Sequence, residues 1–377
     1  MAVKQSLVFR LHKWFGLAIA AWVLLQAVTG TANLYRAELN RLLHAGVLTV
    51  PSAGPLLPID RWIDAARRAE PGAAVERIDY PARPGDAVLV TLQCPGCGGH
   101  RLVAVDPHTA AITAHGGLER FPVEAAFWLH SHLWIPPVGK YVVGGLGLVV
   151  VGMAATGIWL WWPRPGTFRH AFRIVRRLGR LRFVLDLHRV PGIVTSAAVL
   201  FVAATGVALS YSGWLAAALR PVMPFAEPPK LEAPGGPELD SREVQPLVDA
   251  ARAGFPDSRV RDVRLSAGLV RVLFRPETEG IPRATRQVYV RRHDGKVLAR
   301  VDPATLPAGD RVIRWLLPLH SGHYGGGAGS AVGLVAGLGL AVLAVTGVWM
   351  WFSRREMRAR TAARAMAGAA AAANRNG

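Results

Sequence analysis

The chain has 377 residues and a mean hydropathy of +0.26, which is typical of a membrane protein and unusual for a soluble enzyme. Its net charge is +19, and it contains only two cysteines. Two cysteines exclude a disulfide scaffold, an iron–sulfur ferredoxin and a protein with several zinc sites.

Four segments without Asp, Glu, Lys or Arg are long enough to cross a bilayer. They are Trp14–Tyr35, Tyr141–Pro163, Val190–Leu219 and Tyr324–Ser353. Each exceeds the ~20 residues that a helix needs to span a hydrocarbon core about 30 Å thick. The first is longer than the apolar region of a signal peptide and has no evident cleavage motif after it, so we expect it to remain as a span. The sequence therefore predicts an α-helical membrane bundle of four transmembrane helices.

The distribution of charge predicts the orientation of these helices. The N-terminus, the linker between the second and third spans, and the C-terminal tail together carry 17 of the 44 basic residues and two of the 25 acidic ones. Because short basic segments stay in the cytoplasm, we expect both termini inside and two long loops outside. The positive charge then favours an anionic lipid bilayer, and no nucleic-acid partner is expected because no basic soluble domain is present.

Repeated spacings divide the chain into two halves. In each half, two of the histidines are followed by a Thr-Gly pair at a fixed spacing. The spacing is 17 residues for the first histidine and 26 for the second, in both halves. The histidines and threonines are His12 and Thr29, His130 and Thr156, His188 and Thr205, and His320 and Thr346. Such matching rarely arises by chance, so we infer an internally duplicated unit of helix, outside domain and helix.

Each outside loop is predicted to form one small α+β domain. The pattern predicts a helix at Ile59–Ala69 in the first loop and at Val244–Ala253 in the second. Three strands follow each helix, at 77–81, 87–92 and 101–105, and at 261–266, 269–274 and 287–292. Residues 221–237 are rich in Pro and Gly and are predicted to be a linker.

The predicted organisation has eight consecutive segments. They are the N-terminus with helix 1 (1–35), outside domain 1 (36–127), the outer His segment with helix 2 (128–163), the basic linker (164–187), helix 3 (188–219), the linker with outside domain 2 (220–315), the outer His segment with helix 4 (316–353) and the basic tail (354–377).

Four histidines lie at the membrane ends of the four predicted helices. His12 and His188 lie at the cytoplasmic ends of helices 1 and 3, and His130 and His320 at the outer ends of helices 2 and 4. A pseudo-two-fold axis between the halves would bring each pair together. Two neutral imidazoles that face each other suit a haem iron with both axial positions filled. The sequence therefore predicts two b-type haems, one near each face, which divide the membrane into short electron hops.

Other residues near these positions leave alternatives open. His132 and His323 are alternative ligands of the outer haem, or ligands of an incoming metal ion. Lys13 and Arg189 directly follow the inner histidines and are predicted to pair with haem propionates. The alternative for each histidine is an interfacial polar residue at a helix end.

The two cysteines lie in the first outside domain. Cys94 and Cys97 are predicted to form a disulfide that closes a short loop in an oxidising compartment. A thioredoxin-like role is disfavoured because no βαβ pattern surrounds them, and the covalent haem motif is absent because His100 does not directly follow Cys97. Half a metal site with His100 is the remaining alternative.

Segments of the helices resemble the PepSY-associated transmembrane family, which includes iron-regulated inner-membrane proteins and ferric-siderophore reductases. The similar segments are 11–17 with the Val-Thr-Gly at 28–30, and 345–355. The ends of the outside domains, at 105–110 and 290–295, loosely resemble the strand–turn–strand ending of PepSY domains. The resemblance covers residues 5 to about 355. It implies two PepSY-like periplasmic domains, a bacterial inner (cytoplasmic) membrane location, b-type haems and electron transfer to ferric siderophores with release of Fe(II).

We therefore expect a di-haem b oxidoreductase that acts as a ferric-chelate reductase, with no catalytic residues beyond the haem ligands. Its electron donor is expected to be a membrane quinol or a cytoplasmic protein, and its acceptor a periplasmic ferric siderophore or other ferric chelate. The alternative is a non-enzymatic PepSY binding protein whose helices only anchor the two outside domains. A transporter is disfavoured because the four spans contain no charged residue.

Overall fold

The computed structural model describes residues 2–94, 96, 99–227, 229, 240–275 and 285–376. In these ranges the chain forms two compact units. The helical unit comprises Met1–Leu34, His130–Ser210 and His320–Gly377, and the sheet unit comprises Tyr35–Leu129 and Tyr211–Leu319.

The helices and strands follow one another in a regular order along the chain. They are α1 (Ala2–Leu34), α2 (Arg36–Leu43), α3 (Ile59–Ala69), β1 (Ala74–Asp79), β2 (Val88–Cys94), β3 (Gly99–Val105), β4 (Ile112–Gly116), α4 (Pro122–His132), α5 (Val138–Trp161), α6 (Phe168–Ala171), α7 (Arg180–Ser210), α8 (Ser212–Leu219), α9 (Val244–Arg252), β5 (Arg259–Leu265), β6 (Leu269–Arg275), β7 (Arg286–Arg291), β8 (Val297–Val301), α10 (Ala308–His320) and α11 (Gly326–Asn376).

Four helices of the described chain are long and apolar enough to cross a membrane, as predicted. They are α1, α5, α7 and α11, with spans at Ser6–Leu34, Val138–Trp161, Arg180–Ser210 and His323–Ala367. Large apolar side chains on their outer surfaces are exposed, among them Leu24, Leu148, Val194 and Leu338. An exposed apolar surface of this extent suits contact with lipid rather than with water.

Small residues let α11 pack closely in the helical unit. α11 packs against α1 and α7, and α7 also packs against α5. A Cβ atom at Gly339 of α11 would lie 2.5 Å from Oγ1 of Thr195 of α7, so any larger residue at this position would push the two helices apart. α11 continues beyond Ser353 through the basic tail, which is rich in the helix formers Ala, Arg and Met.

The two segments that were predicted to lie outside the membrane form one sheet rather than two separate domains. All eight strands are antiparallel, in the order β4-β3-β2-β1-β5-β6-β7-β8. The join is between β1 and β5, where Ile78 lies opposite Val263. Each four-stranded set would otherwise leave an unpaired edge strand, and pairing β1 with β5 satisfies the backbone groups of both edges.

One hydrophobic core serves both halves of this sheet. It lies on the face that α3 and α9 cover and includes Trp62, Ile78, Val248 and Val263. The predicted helix Ile59–Ala69 is confirmed as α3, and the second predicted helix ends at Arg252, one residue early. The six predicted strands match β1–β3 and β5–β7 to within a few residues, whereas β4 and β8 were not predicted. Residues 228 and 230–239, in and next to the predicted linker, lie outside the described residues.

We expect Trp62→Ala to destabilise the sheet unit by about 3–5 kcal/mol, because the substitution leaves a large cavity in the core. The Trp62 side chain is fully buried, and its indole nitrogen donates a hydrogen bond to the Pro107 carbonyl (3.2 Å). Thermal unfolding followed by near-ultraviolet circular dichroism measures the loss. The matched control is Trp214→Ala, which removes a 70% exposed indole. Equal losses in the two variants would contradict the prediction.

Candidate haem-binding histidine pairs

The helical unit brings His12 of α1 and His188 of α7 together. Their ring centroids are 6.5 Å apart, and the ring planes are at 87° to each other. Nδ1 of His12 is 2.9 Å from Oγ1 of Thr156, and Nδ1 of His188 is 2.9 Å from Oγ1 of Thr346. We call His12 and His188 the inner pair. Each of these histidines is held by the threonine of a Thr-Gly pair on a neighbouring membrane helix.

His130 of α4 and His320 of α10 form a second pair, the outer pair. Their ring centroids are 6.1 Å apart, and the ring planes are at 31°. Nδ1 of His130 is 3.2 Å from Oγ1 of Thr29. Nδ1 of His320 is 2.9 Å from the carbonyl oxygen of Val202, whereas the Thr205 hydroxyl donates to carbonyls of its own helix. A backbone carbonyl thus replaces the threonine at one of the four positions.

The glycine of each Thr-Gly pair leaves room for an imidazole ring. A Cβ atom at Gly30 would lie 2.8 Å from Cε1 of His130, and one at Gly206 would lie 2.7 Å from Cε1 of His320. The corresponding distances are 3.4 Å between Gly157 and His12, and 3.5 Å between Gly347 and His188. The outer pair therefore requires glycine most strictly, because any side chain there would meet the ring.

The threonine hydroxyls determine which imidazole nitrogen carries the proton. The hydroxyls of Thr29, Thr156 and Thr346 each donate to the carbonyl four residues earlier in their own helix, at 2.6–2.8 Å. A hydroxyl has a single hydrogen, so the same oxygen accepts a hydrogen bond from Nδ1 of the histidine. The Val202 carbonyl can only accept, so Nδ1 of His320 also donates. All four rings are then protonated at Nδ1, and the lone pair of Nε2 is left for a metal.

The sequence profile of the family described as PepSY-associated TM region matches residues 9–354. The chain belongs to this family. The match covers most of the chain and includes both histidine pairs and all four Thr-Gly pairs. It confirms the resemblance seen in the helix sequences. No curated protein matches the chain in sequence.

The two facing imidazoles of each pair in this PepSY-associated TM protein fit a haem iron. A metal–imidazole bond is about 2.0–2.1 Å long, so the centroids of two rings on opposite sides of one metal ion lie about 6 Å apart. The observed distances are 6.5 and 6.1 Å. No cluster of three or more His, Cys, Asp or Glu that could hold a metal ion exists among the described residues. A haem needs only two protein ligands because its macrocycle supplies four nitrogens.

The other predicted site residues have different neighbours. Nδ1 of His132 is 2.7 Å from Oγ of Ser131, and Nδ1 of His323 is 2.8 Å from Oγ of Ser321. The ring centroids of His130 and His320 are 6.1 Å apart, which is the spacing of two ligands on one metal. Which of these histidines would hold the outer haem stays a prediction.

The two predicted propionate partners lie beside the inner pair. Nζ of Lys13 is 4.3 Å from the ring centroid of Trp14, and Nη1 of Arg189 is 3.7 Å from a carboxylate oxygen of Asp186. The pairing of Lys13 and Arg189 with propionates stays a prediction.

Asp186 is a buried acid near the inner pair that the sequence patterns did not single out. Its side chain is 1% exposed, and it accepts hydrogen bonds from Nε of Arg182 (3.0 Å) and the backbone nitrogen of Val175 (3.2 Å). These contacts attach the basic linker to the start of α7, two turns of helix or less from His188. The only sequence signal for this role is that Asp186 is the one acid among the basic residues of the linker.

The cysteine region lies in the sheet unit. Cys94 ends β2 and is disulfide-bonded, while Cys97 lies outside the described residues. The ring of His100 stacks on Trp128 with centroids 4.4 Å apart, and its Nδ1 is 3.6 Å from the Glu76 carboxylate. These contacts give His100 a packing role, so half a metal site with the cysteines is disfavoured.

Proposed function

We propose that this PepSY-associated TM protein is a di-haem b oxidoreductase of the bacterial inner membrane. It passes electrons from a membrane quinol or cytoplasmic donor to a periplasmic ferric siderophore or other ferric chelate. The observation that carries the proposal is the pairing of His12 with His188 and of His130 with His320 at the spacing of two ligands on one metal.

The proposal includes an internally duplicated chain with both termini in the cytoplasm. The elements α1–α5 with β1–β4 and α7–α11 with β5–β8 follow the same order, apart from the short α6. Corresponding histidines form each pair: His12 with His188, and His130 with His320. The basic residues of the linker and tail support a cytoplasmic position for both.

The two pairs lie near opposite ends of the membrane helices. His12 belongs to the inner pair, and Thr29, which contacts His130, lies 17 residues later on α1. At 1.5 Å per residue these positions are about 25 Å apart along the helix. A haem bound at each pair would supply reversible one-electron transfer at its iron. The separation spans most of the hydrocarbon core, so two sites would divide the electron path across the membrane into shorter steps.

Hydrogen bonds within the protein fix the protonation and the orientation of the four imidazole rings. The hydrogen bonds from Nδ1 keep each proton in place and fix the ring orientation. Each haem would be held by two histidines of the chain, so the acceptor would exchange electrons with it without a bond to the metal. The ferric substrate gains one electron, and the Fe(II) formed is held less tightly by hard oxygen ligands and dissociates.

The first experiment is optical and magnetic. The purified full-length protein is expected to contain two b-type haems per chain by pyridine haemochrome, with low-spin bands that sharpen on reduction with dithionite. The nearly perpendicular ring planes of His12 and His188 would give a bound haem a strongly anisotropic low-spin EPR signal, and the more parallel planes of His130 and His320 would give a rhombic one. Protein without haem, after expression with sufficient haem, would overturn the proposal in favour of a membrane-anchored binding protein.

We expect Thr156→Val to raise the reduction potential of the inner haem by tens of millivolts. The substitution removes the hydroxyl oxygen that accepts the Nδ1 proton of His12, a hydrogen bond of about 1 kcal/mol. This hydrogen bond makes the imidazole a stronger electron donor, which stabilises oxidised iron, so its loss raises the potential. Spectroelectrochemical titration measures the shift. The matched control is Thr205→Val, which removes a hydroxyl that forms no hydrogen bond with His320. Equal shifts in both variants would contradict this role.

A further inference from the structure

The sheet unit carries arginines side by side on neighbouring strands. Arg77 of β1 lies opposite Arg264 of β5, Arg264 lies opposite Arg271 of β6, and Arg271 lies opposite Tyr289 of β7. Residues directly opposite in antiparallel strands have Cβ atoms about 4.5–5.5 Å apart. The alternate residues of these strands, such as Val263, point into the core under α3 and α9. The four residues, which we call the arginine row, therefore lie on the other face of the sheet.

Two aspartates neutralise only part of this row. Asp262 is fully buried and accepts hydrogen bonds from Nε of Arg264 and of Arg261, both at 2.8 Å, and Nε of Arg77 lies 3.7 Å away. Burial disfavours the charged form of Asp262, but these arginines outweigh it and hold the pKa of its carboxyl below the usual value. Asp79 forms an ion pair with Arg77. Glu124 also acts electrostatically on Arg77 and forms an ion pair with Arg36. Three acids thus face four arginines before Arg271 is counted.

Arg271 adds a positive charge without a carboxylate partner among the described residues. Its guanidinium carbon lies 5.9 Å from the ring centroid of Tyr289. Arg314 of α10 interacts electrostatically with Asp310 and, to a smaller extent, with Tyr289 at this end of the row. Nε of Arg77 is buried and has no hydrogen-bond partner in the described structure. The row therefore combines excess positive charge with unused donors.

The same face of strands β2, β3 and β4 is apolar and covered. There Leu102, Ala104 and Phe121 form a buried cluster, with Leu48 and Leu89 packed against it. Strands β1, β5, β6 and β7 carry arginine and tyrosine on this face instead, and the side chains of Arg77 and Arg264 remain 37% and 36% exposed. Like charges on directly opposite residues destabilise a sheet, and an anion placed between them relieves the repulsion.

We propose that the arginine row binds a small anion with several carboxylate groups, so that the ferric substrate is a negatively charged, carboxylate-rich chelate. The inference rests on the proposed function and specifies the class of its substrate. Guanidinium groups bind carboxylates through two parallel hydrogen bonds, and arginines on neighbouring strands suit an anion with more than one carboxylate. The phenol of Tyr289, which donates to Oε1 of Gln287 at 3.0 Å, borders the row.

Binding of ferric citrate to the full-length protein in detergent tests the site directly. Equilibrium dialysis with radiolabelled iron is expected to show saturable binding to the wild type. Arg271→Gln should raise the Kd about tenfold or more, because a hydrogen bond to a charged group is lost, and Arg271→Lys should have a smaller effect. The matched control is Arg61→Gln, which removes an exposed arginine of α3 on the other side of the sheet and should leave the Kd unchanged.

Three results would overturn the inference: unchanged binding in Arg271→Gln, equal weakening in Arg61→Gln, or loss of binding in nanodiscs of phosphatidylglycerol but not of phosphatidylcholine. The last would identify the headgroup of an anionic lipid as the occupant of the row, because phosphatidylcholine has a phosphate but no net charge. The haem content of the same samples separates this inference from the proposed function. Ferric citrate binding that depends on Arg271 in a protein without haem would support the site and overturn the reductase. A haem protein that reduces ferric chelates, with ferric citrate binding insensitive to Arg271, would support the reductase and overturn the anion site.

Discussion

Replacing His130 and His320 together by alanine is expected to remove one of two haems and leave the other in place. The rings of this pair face each other at 6.1 Å and have no third metal ligand among the described residues, so the alanine variant offers no protein ligand at the outer site. The pyridine haemochrome count should fall from about two to about one. The rhombic EPR signal should disappear, while the strongly anisotropic signal of His12 and His188 remains.

The reciprocal variant and a matched control test the same assignment of haem ligands. His12→Ala with His188→Ala should remove the anisotropic signal and leave the rhombic one. His132→Ala with His323→Ala should leave both haems, because the proposal assigns the outer haem to His130 and His320, whose ring centroids are 6.1 Å apart. Loss of the outer haem in the control, with retention in His130→Ala and His320→Ala, would transfer the ligand role to His132 and His323.

Gly206→Val is expected to abolish haem binding at the outer pair without any change to a ligand. A Cβ atom at this position would lie 2.7 Å from Cε1 of His320, a distance that real Cβ contacts do not reach. The larger side chain of valine must therefore displace the imidazole from the Val202 carbonyl and from His130. We expect the haem count to fall by about one per chain, with the inner EPR signal retained.

The control for this substitution is Gly152→Val in α5. Gly152 also lies in a membrane helix, but a Cβ atom there would have no neighbour within 4 Å. The two variants share the change in helix propensity and differ in the clash with a histidine. Equal haem loss in both would show that the effect comes from the helix and not from the imidazole.

Several features of this protein follow from the sequence alone because they depend on local length or spacing. The four spans are recognisable since a hydrocarbon core admits only long uncharged helices. The helix α3 is recognisable because its apolar residues, including Trp62 and Ile63, recur at helical spacing before Pro71. The candidate site residues were found through repeated spacings, which locate each histidine relative to a Thr-Gly pair.

The short strands β4 and β8 escaped sequence-based prediction because their five residues have weak alternation. The joining of both sheet halves through β1 and β5 also escaped it, since edge pairing depends on two segments almost 200 residues apart. In each case the missing information is a contact between distant residues.

What the sequence determined is therefore the number of spans, the four histidines and the threonines near them. Only the tertiary structure decided which Thr-Gly pair holds which histidine, and that the Val202 carbonyl takes the place of Thr205 opposite His320. It also placed Arg77, Arg264 and Arg271 in one row. Spacing along a chain fixes the face and height of a residue on its own helix or strand. Its partner is fixed by the packing of other segments, which no local period encodes.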